Sequence, residues 1–278
     1  LPYYEKIKEY NNLEQRDIWE YDLALTQEEI NRLVLHTFEL KDSYSDYFFF
    51  KENCSYNVLW LLEIARKDLD LVSKFDFKTV PLDSIKVLLE YDLIKGTNFR
   101  YSSMRKMKYI LNEKIKNKEY LKVFVNEDIP INGSLSIEDK ISYLDFKILY
   151  LQYQRANSEY NKEEYLKKYL QLLKQRSDYK EASFYDIKTP FNPLYSHDSA
   201  KISFFYDSND SFEFGAKPAY NDIYDISDGY LQGAYIDFFD LSLKKQRNEN
   251  LRLDRFTLLK IKSLAPQDMF FNSISWGI

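Results

Sequence analysis

The chain has 278 residues, a formal net charge of −5 and 30% charged residues, which suits one large domain or two ordinary ones. That acidic balance lacks the basic excess of a dedicated nucleic-acid binder, so no nucleic-acid partner is expected. A single cysteine excludes an internal disulfide, and the absence of a CxxC pair or His/Cys cluster makes a structural zinc site unexpected.

Two features of composition shape the rest. Aromatics reach 17%, with 25 Tyr and 20 Phe, whereas Gly numbers only 6. Tyrosine joins an apolar body to a polar tip and suits cleft rims, and few glycines mean few strained turns. No apolar run is long enough to cross a bilayer as a helix, and no signal peptide is evident.

In chain order, residues 1–25 are aromatic and charged without a clean period and read as irregular packing. Thr26 and Glu29 have capping-box spacing, and Ile30, Leu33, Val34, Thr37 and Phe38 recur at helical spacing. They predict a helix from about Gln27 to Leu40. Tyr47-Phe48-Phe49-Phe50 reads as a short buried strand or extended segment. Asn53 is a good N-cap, and Val58, Leu61, Leu62 and Ala65 share a helical face with Cys54. A second helix is predicted from about Cys54 to Arg66. Pro81 suits the first turn of a third, through about Glu90.

Residues 103–178 are helix-rich, and the Lys-rich stretch Lys106–Lys122 reads as a solvated face. Ser136 with Asp139 caps a segment to about Ala156, and a second spans about Lys162 to Arg176, predicting an antiparallel hairpin. After Pro190 the pattern changes to strands at Lys201–Tyr206, Ser211–Gly215, Tyr230–Asp240 and Phe256–Lys262. The expected fold is α+β, organised as a cysteine-bearing core over 1–95, a helical insert over 96–189 and an antiparallel β-rich portion over 190–278 that is compatible with the start of a barrel or sandwich. The chain opens without Met and closes on Ser275-Trp276-Gly277-Ile278, which reads like a strand cut short and suggests a fragment.

Cys54 is the sharpest local signal for chemistry. The unpaired amides and positive dipole end of a helix N-terminus favour a thiolate and can hold an oxyanion. The bland alternative is a small buried hydrophobe, because free cysteine is among the most buried residue types. His36 with Glu39 three residues on offers a base and its orienting carboxylate. The alternative there is a half-buried structural imidazole. His197 reads as a turn or capping residue. Glu28/Glu29 and Glu163/Glu164 are sequence neighbours that do not face each other on a helix, so no acid/base role attaches to them. Nucleotide, α/β-hydrolase and zincin motifs are absent.

Tyr47-Phe48-Phe49-Phe50-Lys51-Glu52-Asn53-Cys54-Ser55 and the Leu-rich helix after it resemble a bacterial family now associated with lipoprotein N-acyltransferases. That family belongs to the circularly permuted branch of papain-like proteins that also holds lecithin:retinol acyltransferase. The resemblance extends to Pro2-Tyr3-Tyr4, Tyr10-Asn11, Arg16–Tyr21, His36-Thr37-Phe38-Glu39-Leu40 and Val80-Pro81-Leu82-Asp83. Downstream it includes Ser196-His197, Pro218-Ala219-Tyr220-Asn221-Asp222 and Gly229-Tyr230.

The resemblance implies a papain-like core, acyl transfer through a Cys54 thioester and Asn53 in an oxyanion or positioning role. It also implies a lipoprotein or lipid acyl donor, a membrane surface as partner and a place in the periplasm or outer membrane. No metal or organic cofactor is expected. In the permuted branch the catalytic histidine lies upstream in a Gly-His segment, which this sequence lacks. His36 inherits that candidacy, or the segment belongs to a longer protein. A cysteine amidase or peptidase of the envelope remains the enzymatic alternative, and a non-catalytic envelope binding or scaffold module the other.

Overall fold

The computed structural model describes residues 2–278 apart from 128, 158, 159, 209, 227 and 272. The first half runs α1 (Tyr3–Lys8), β1 (Ile18–Leu23), α2 (Gln27–Glu39), α3 (Cys54–Ala65), α4 (Pro81–Glu90) and β2 (Ile94–Arg100). It continues through α5 (Ser103–Tyr109), α6 (Lys118–Asn126), α7 (Ile137–Ala156) and α8 (Lys162–Ser177). Strands then follow: β3 (Lys201–Asp207), β4 (Ser211–Lys217), β5 (Ala219–Asn221), β6 (Ala234–Gln246), β7 (Arg252–Ser263) and β8 (Trp276–Gly277). The fold is α+β.

The capped helices form where side-chain chemistry meets their free amides. Thr26 accepts from the Glu29 amide while the Glu29 carboxylate accepts from the Thr26 amide, a complete capping box at α2. Pro81 starts α4, and the Ser136 hydroxyl accepts from the Asp139 amide at α7. Residues 3–8 and 18–23, expected to be irregular, are a helix and a strand. The run Tyr47–Phe50, expected to be a short buried strand or extended segment, forms no strand, and its four side chains are exposed rather than buried.

The chain forms two compact units. One comprises residues 1–21 and 97–189. Its core surrounds α7, where Tyr143, Leu144 and Phe146 are almost fully buried beside Met107, Leu121 and Phe124. The N-terminal segment is held there by polar ties. Asn11 donates to the carbonyls of Arg100 and Tyr101, and Asp17 accepts from Arg105 at 2.6 Å and from the Ser102 amide at 2.8 Å.

The other unit comprises residues 22–96 and 190–278. Leu59, Leu62, Leu71, Val87, Leu88 and Leu93 form its helical core, with Leu23 and Leu25 packed on it. Its antiparallel sheet has the order β3-β4-β6-β7-β8, with β5 also paired to β6.

Arg66, just past α3, clamps this unit. Its guanidinium donates to both Glu29 oxygens at 2.6 and 3.0 Å and also to the Ala24 carbonyl. Arg66 and the Thr26 amide hold the Glu29 carboxyl at about 2, against an ordinary 4.5. A depressed folded-state pKa adds stability above the ordinary value and loses it as pH falls through the folded one. The thermal midpoint of the native protein should therefore fall from pH 5 towards 2, and the stabilising difference between it and Glu29→Gln should shrink over the same window. A difference that stays constant with pH would remove the clamp from the account.

Candidate active site

Helix α3 begins as an N-capped helix should. The Asn53 carbonyl oxygen accepts from the amides of Ser55 at 3.0 Å and Tyr56 at 3.3 Å. Its amide nitrogen donates to the Phe49 carbonyl at 3.2 Å and the Thr79 carbonyl at 2.8 Å. Asn53 is buried and both its N–H bonds are committed to these carbonyls. The cap takes two of the amides at the helix start and leaves that of Cys54 itself.

Cys54 is exposed, which removes the reading of a small buried hydrophobe. It lies on the wall of a cavity of about 680 Å³, within the range of sites for small organic ligands. The wall combines Tyr47, Phe49 and Phe50 with the α4 start at Val80 and Pro81. Tyr220, Tyr230, Phe238 and Phe239 complete the aromatic lining. Phe50 packs on Phe238 and Phe239 at ring separations of 5.5 and 5.6 Å. The exposed aromatic run thus serves as cavity wall.

A polar cluster around Lys78 interrupts this largely apolar lining. The Lys78 ammonium donates to Ser199 Oγ at 2.7 Å and to the Pro218 carbonyl, and it lies 3.8 Å from Asp83. Ser199 Oγ in turn donates to Asp83 at 2.5 Å. Burial pushes the Lys78 pKa down, and Asp83 only partly opposes it. Sequence reading missed Lys78 and Ser199, because a lone Lys and a lone Ser carry no motif. By contrast, Pro218–Asn221 and Tyr230, which carried the family resemblance, do converge on the cavity.

His36 does not line this cavity. Its Nδ1 pairs with Glu39 at 2.9 Å, its Nε2 is buried without a partner, and its ring meets Trp60 edge-on at 5.4 Å. Trp60 lies roughly 9 Å along the helix from Cys54, at about 1.5 Å per residue. The structure therefore gives the predicted base and its carboxylate to each other, but it does not bring them to the thiol. His197 packs on the cavity wall instead, stacked between Tyr230 at 4.4 Å and Tyr220 at 5.0 Å, with Nδ1 at the Asp198 carbonyl. Gly229, at φ +83°, permits this wall, since a Cβ there would meet Pro193 at 2.8 Å. Among the described residues no group of three or more His, Cys, Asp or Glu side chains could hold a metal ion.

Comparison with known proteins finds two family matches. Residues 1–91 match the Lnb N-terminal periplasmic domain, and residues 190–278 match a domain of unknown function, DUF7840. No curated protein and no solved structure matches the chain. The matches make this a bacterial envelope protein with a periplasmic domain. The cavity draws its wall from both matched segments.

Asn53→Ala should cost about 2 kcal/mol, since it removes a helix cap and leaves the Thr79 and Phe49 carbonyls short of a donor. Denaturant unfolding monitored by far-ultraviolet circular dichroism measures this. A loss below about 0.5 kcal/mol would mean that the cap is not what holds this segment.

Proposed function

We propose that the protein is a thiol acyltransferase of the bacterial envelope, with Cys54 as nucleophile. The observation that supports this reading is an exposed cysteine in the first turn of a capped helix, on the wall of an apolar cavity. An acyl chain is the kind of group such a cavity favours, because burying its methylenes removes apolar surface from water. The thiolate attacks the ester carbonyl of a lipid acyl donor, and the alcohol leaves as it takes up a proton. The acyl group remains as a thioester on Cys54. A lipoprotein amino terminus then attacks the thioester, loses a proton, forms the amide and releases the thiol. The Cys54 amide, left free by the Asn53 cap, is the donor available to the oxyanion in both steps. An amidase or peptidase would share the thioester and give it to water. The largely apolar wall favours a hydrocarbon donor over a peptide.

The test uses vesicles that contain a synthetic diacylated lipopeptide with a free amine. Mass spectrometry should find an acyl mass on Cys54 that hydroxylamine removes, and an amide-linked acyl group on the lipopeptide. Cys54→Ala should abolish both. Free fatty acid with no amide product would turn the assignment to hydrolysis, and an unmodified Cys54 with activity retained in the variant would end it. Loss of a general base costs about 10²-fold or more. His36→Gln should lose much less than that, because His36 stands off the cavity wall.

A further inference from the structure

The sheet of the second unit is polarised in the reverse of the usual sense. Directly opposed residues of antiparallel strands point to the same face. One cross-strand row is Phe204, Phe214, Leu243 and Leu253, and another is Ile202, Ala216, Leu241 and Phe256. All eight are apolar, yet this face is open: Phe204 is 78% exposed and Phe256 56%. The intervening row, on the other face, is Ser203, Gly215, Ser242 and Arg255.

That other face carries the charges, and it is covered over β4 and β6, where Gly215 and Ser242 are buried, while Arg255 on β7 is half exposed. Ser242 is fully buried and donates to Glu213 at 2.5 Å. Arg255 pairs with Asp240 at 3.1 Å, and Lys217 pairs with Asp222, Asp237 and Asp240 at 3.1, 2.9 and 3.7 Å. Asp237 and Asp240 are themselves buried. Phe205, on the outer strand β3, is an apolar exception on this side. A sheet in water places its apolar face inward. A sheet that turns its apolar face outward and buries carboxylates of its ion pairs on the other is arranged for a hydrocarbon surround.

We infer that the open apolar face of β3, β4, β6 and β7 is a lipid-contacting surface, seated in the hydrocarbon of a bilayer. Three further observations select lipid as the occupant. Strands β6 and β7 have 13 and 12 residues, enough for the roughly 9–11 that an apolar membrane band requires. At the β3–β4 turn the band ends in Tyr206, Asp210, Lys245 and Arg247, the aromatic and charged mixture of a membrane–water interface. The face is also continuous with the Cys54 cavity, through Phe256, Phe239 and Phe50 at ring separations of 6.4 and 5.6 Å. Among the described residues no helix is long and apolar enough to cross a membrane. The membrane contact assigned to the sheet is therefore separate from any helical span, and it does not rest on acyl transfer at Cys54.

The test places single cysteines at Phe204, Phe256 or Lys167 in a Cys54→Ser background, each labelled with an environment-sensitive nitrobenzoxadiazole fluorophore. Vesicles of phosphatidylethanolamine and phosphatidylglycerol at three to one are then added. Labels at 204 and 256 should shift to the blue and be quenched by lipids with nitroxides on their acyl chains, whereas the label on exposed helix α8 at 167 should not. In otherwise native protein, the pair Phe204→Lys and Phe256→Lys should lower vesicle partitioning at least tenfold, and the pair Phe204→Leu and Phe256→Leu should retain it. Labels at 204 and 256 that stay in water overturn the inference. So does equal quenching at 167, or a blue shift without lipid that grows with protein concentration, which would make the face a contact between copies of the chain.

Discussion

The carboxamide of Asn53 makes four hydrogen bonds, and the candidate active site depends on them. The segment before it is irregular, so its backbone groups have no ladder to satisfy them. A buried carbonyl without a donor is costly, and Asn53 donates to two of them, one from the aromatic run and one from the approach to α4. Its oxygen meanwhile fixes the first turn of α3. An aspartate could supply the acceptor but neither donor, and a serine could not reach both carbonyls and the helix. One side chain therefore sets where α3 starts, where the aromatic wall stands and where the Cys54 sulfur opens.

A second tie joins the cavity wall between two distant stretches of chain. Lys78 and Asp83 belong to the segment that ends in the first turn of α4, while Ser199 and Pro218 belong to the β-rich segment. An ammonium at an apolar wall is disfavoured by desolvation, which is why its pKa falls. Its position is tolerable because a hydroxyl, a carbonyl and a nearby carboxylate receive it. The cluster joins two stretches of chain that match separate families. Neither stretch alone would enclose the space beside Cys54.

What could be read from the sequence was local. The starts of α2, α3, α4 and α7 were legible because a cap is decided by residues within one turn of each other. The place of Cys54 in the first turn of α3 and its Asn53 cap were legible for the same reason. The aromatic run read as buried because β-propensity reports fit to a half-buried sheet, whereas Tyr47–Phe50 pairs with no strand and meets β6 only through side chains, Phe49 and Phe50 on Phe238 and Phe239. The short elements at Tyr3–Lys8 and Ile18–Leu23 have too few apolar positions to show a period. The base failed differently. Chain proximity brings α2 against α3, but it does not choose which turn of α3 a side chain meets, and His36 meets the turn of Trp60. Lys78 and Ser199 stand 121 residues apart, so no local pattern could pair them.

Phe239 shows how the sheet and the cavity constrain each other. It adopts φ +51°, a conformation that costs a bulky residue about 1–3 kcal/mol. In an unbroken strand Asp237 and Asp240 would point to opposite faces, since side chains alternate. The break at Phe239 turns both towards Lys217. Burial would lower the Lys217 pKa, but hydrogen bonds to Asp237 and Asp222 and the nearby charge of Asp240 outweigh it and raise the pKa, so the ammonium stays charged. The same break lets the consecutive rings of Phe238 and Phe239 both pack against Phe50. A regular strand would send one carboxylate to the apolar face and one phenyl ring to the polar one. The strain at a single residue thus keeps charge on one side of β6 and hydrocarbon on the other, and it keeps the wall beside Cys54 apolar where the open face begins.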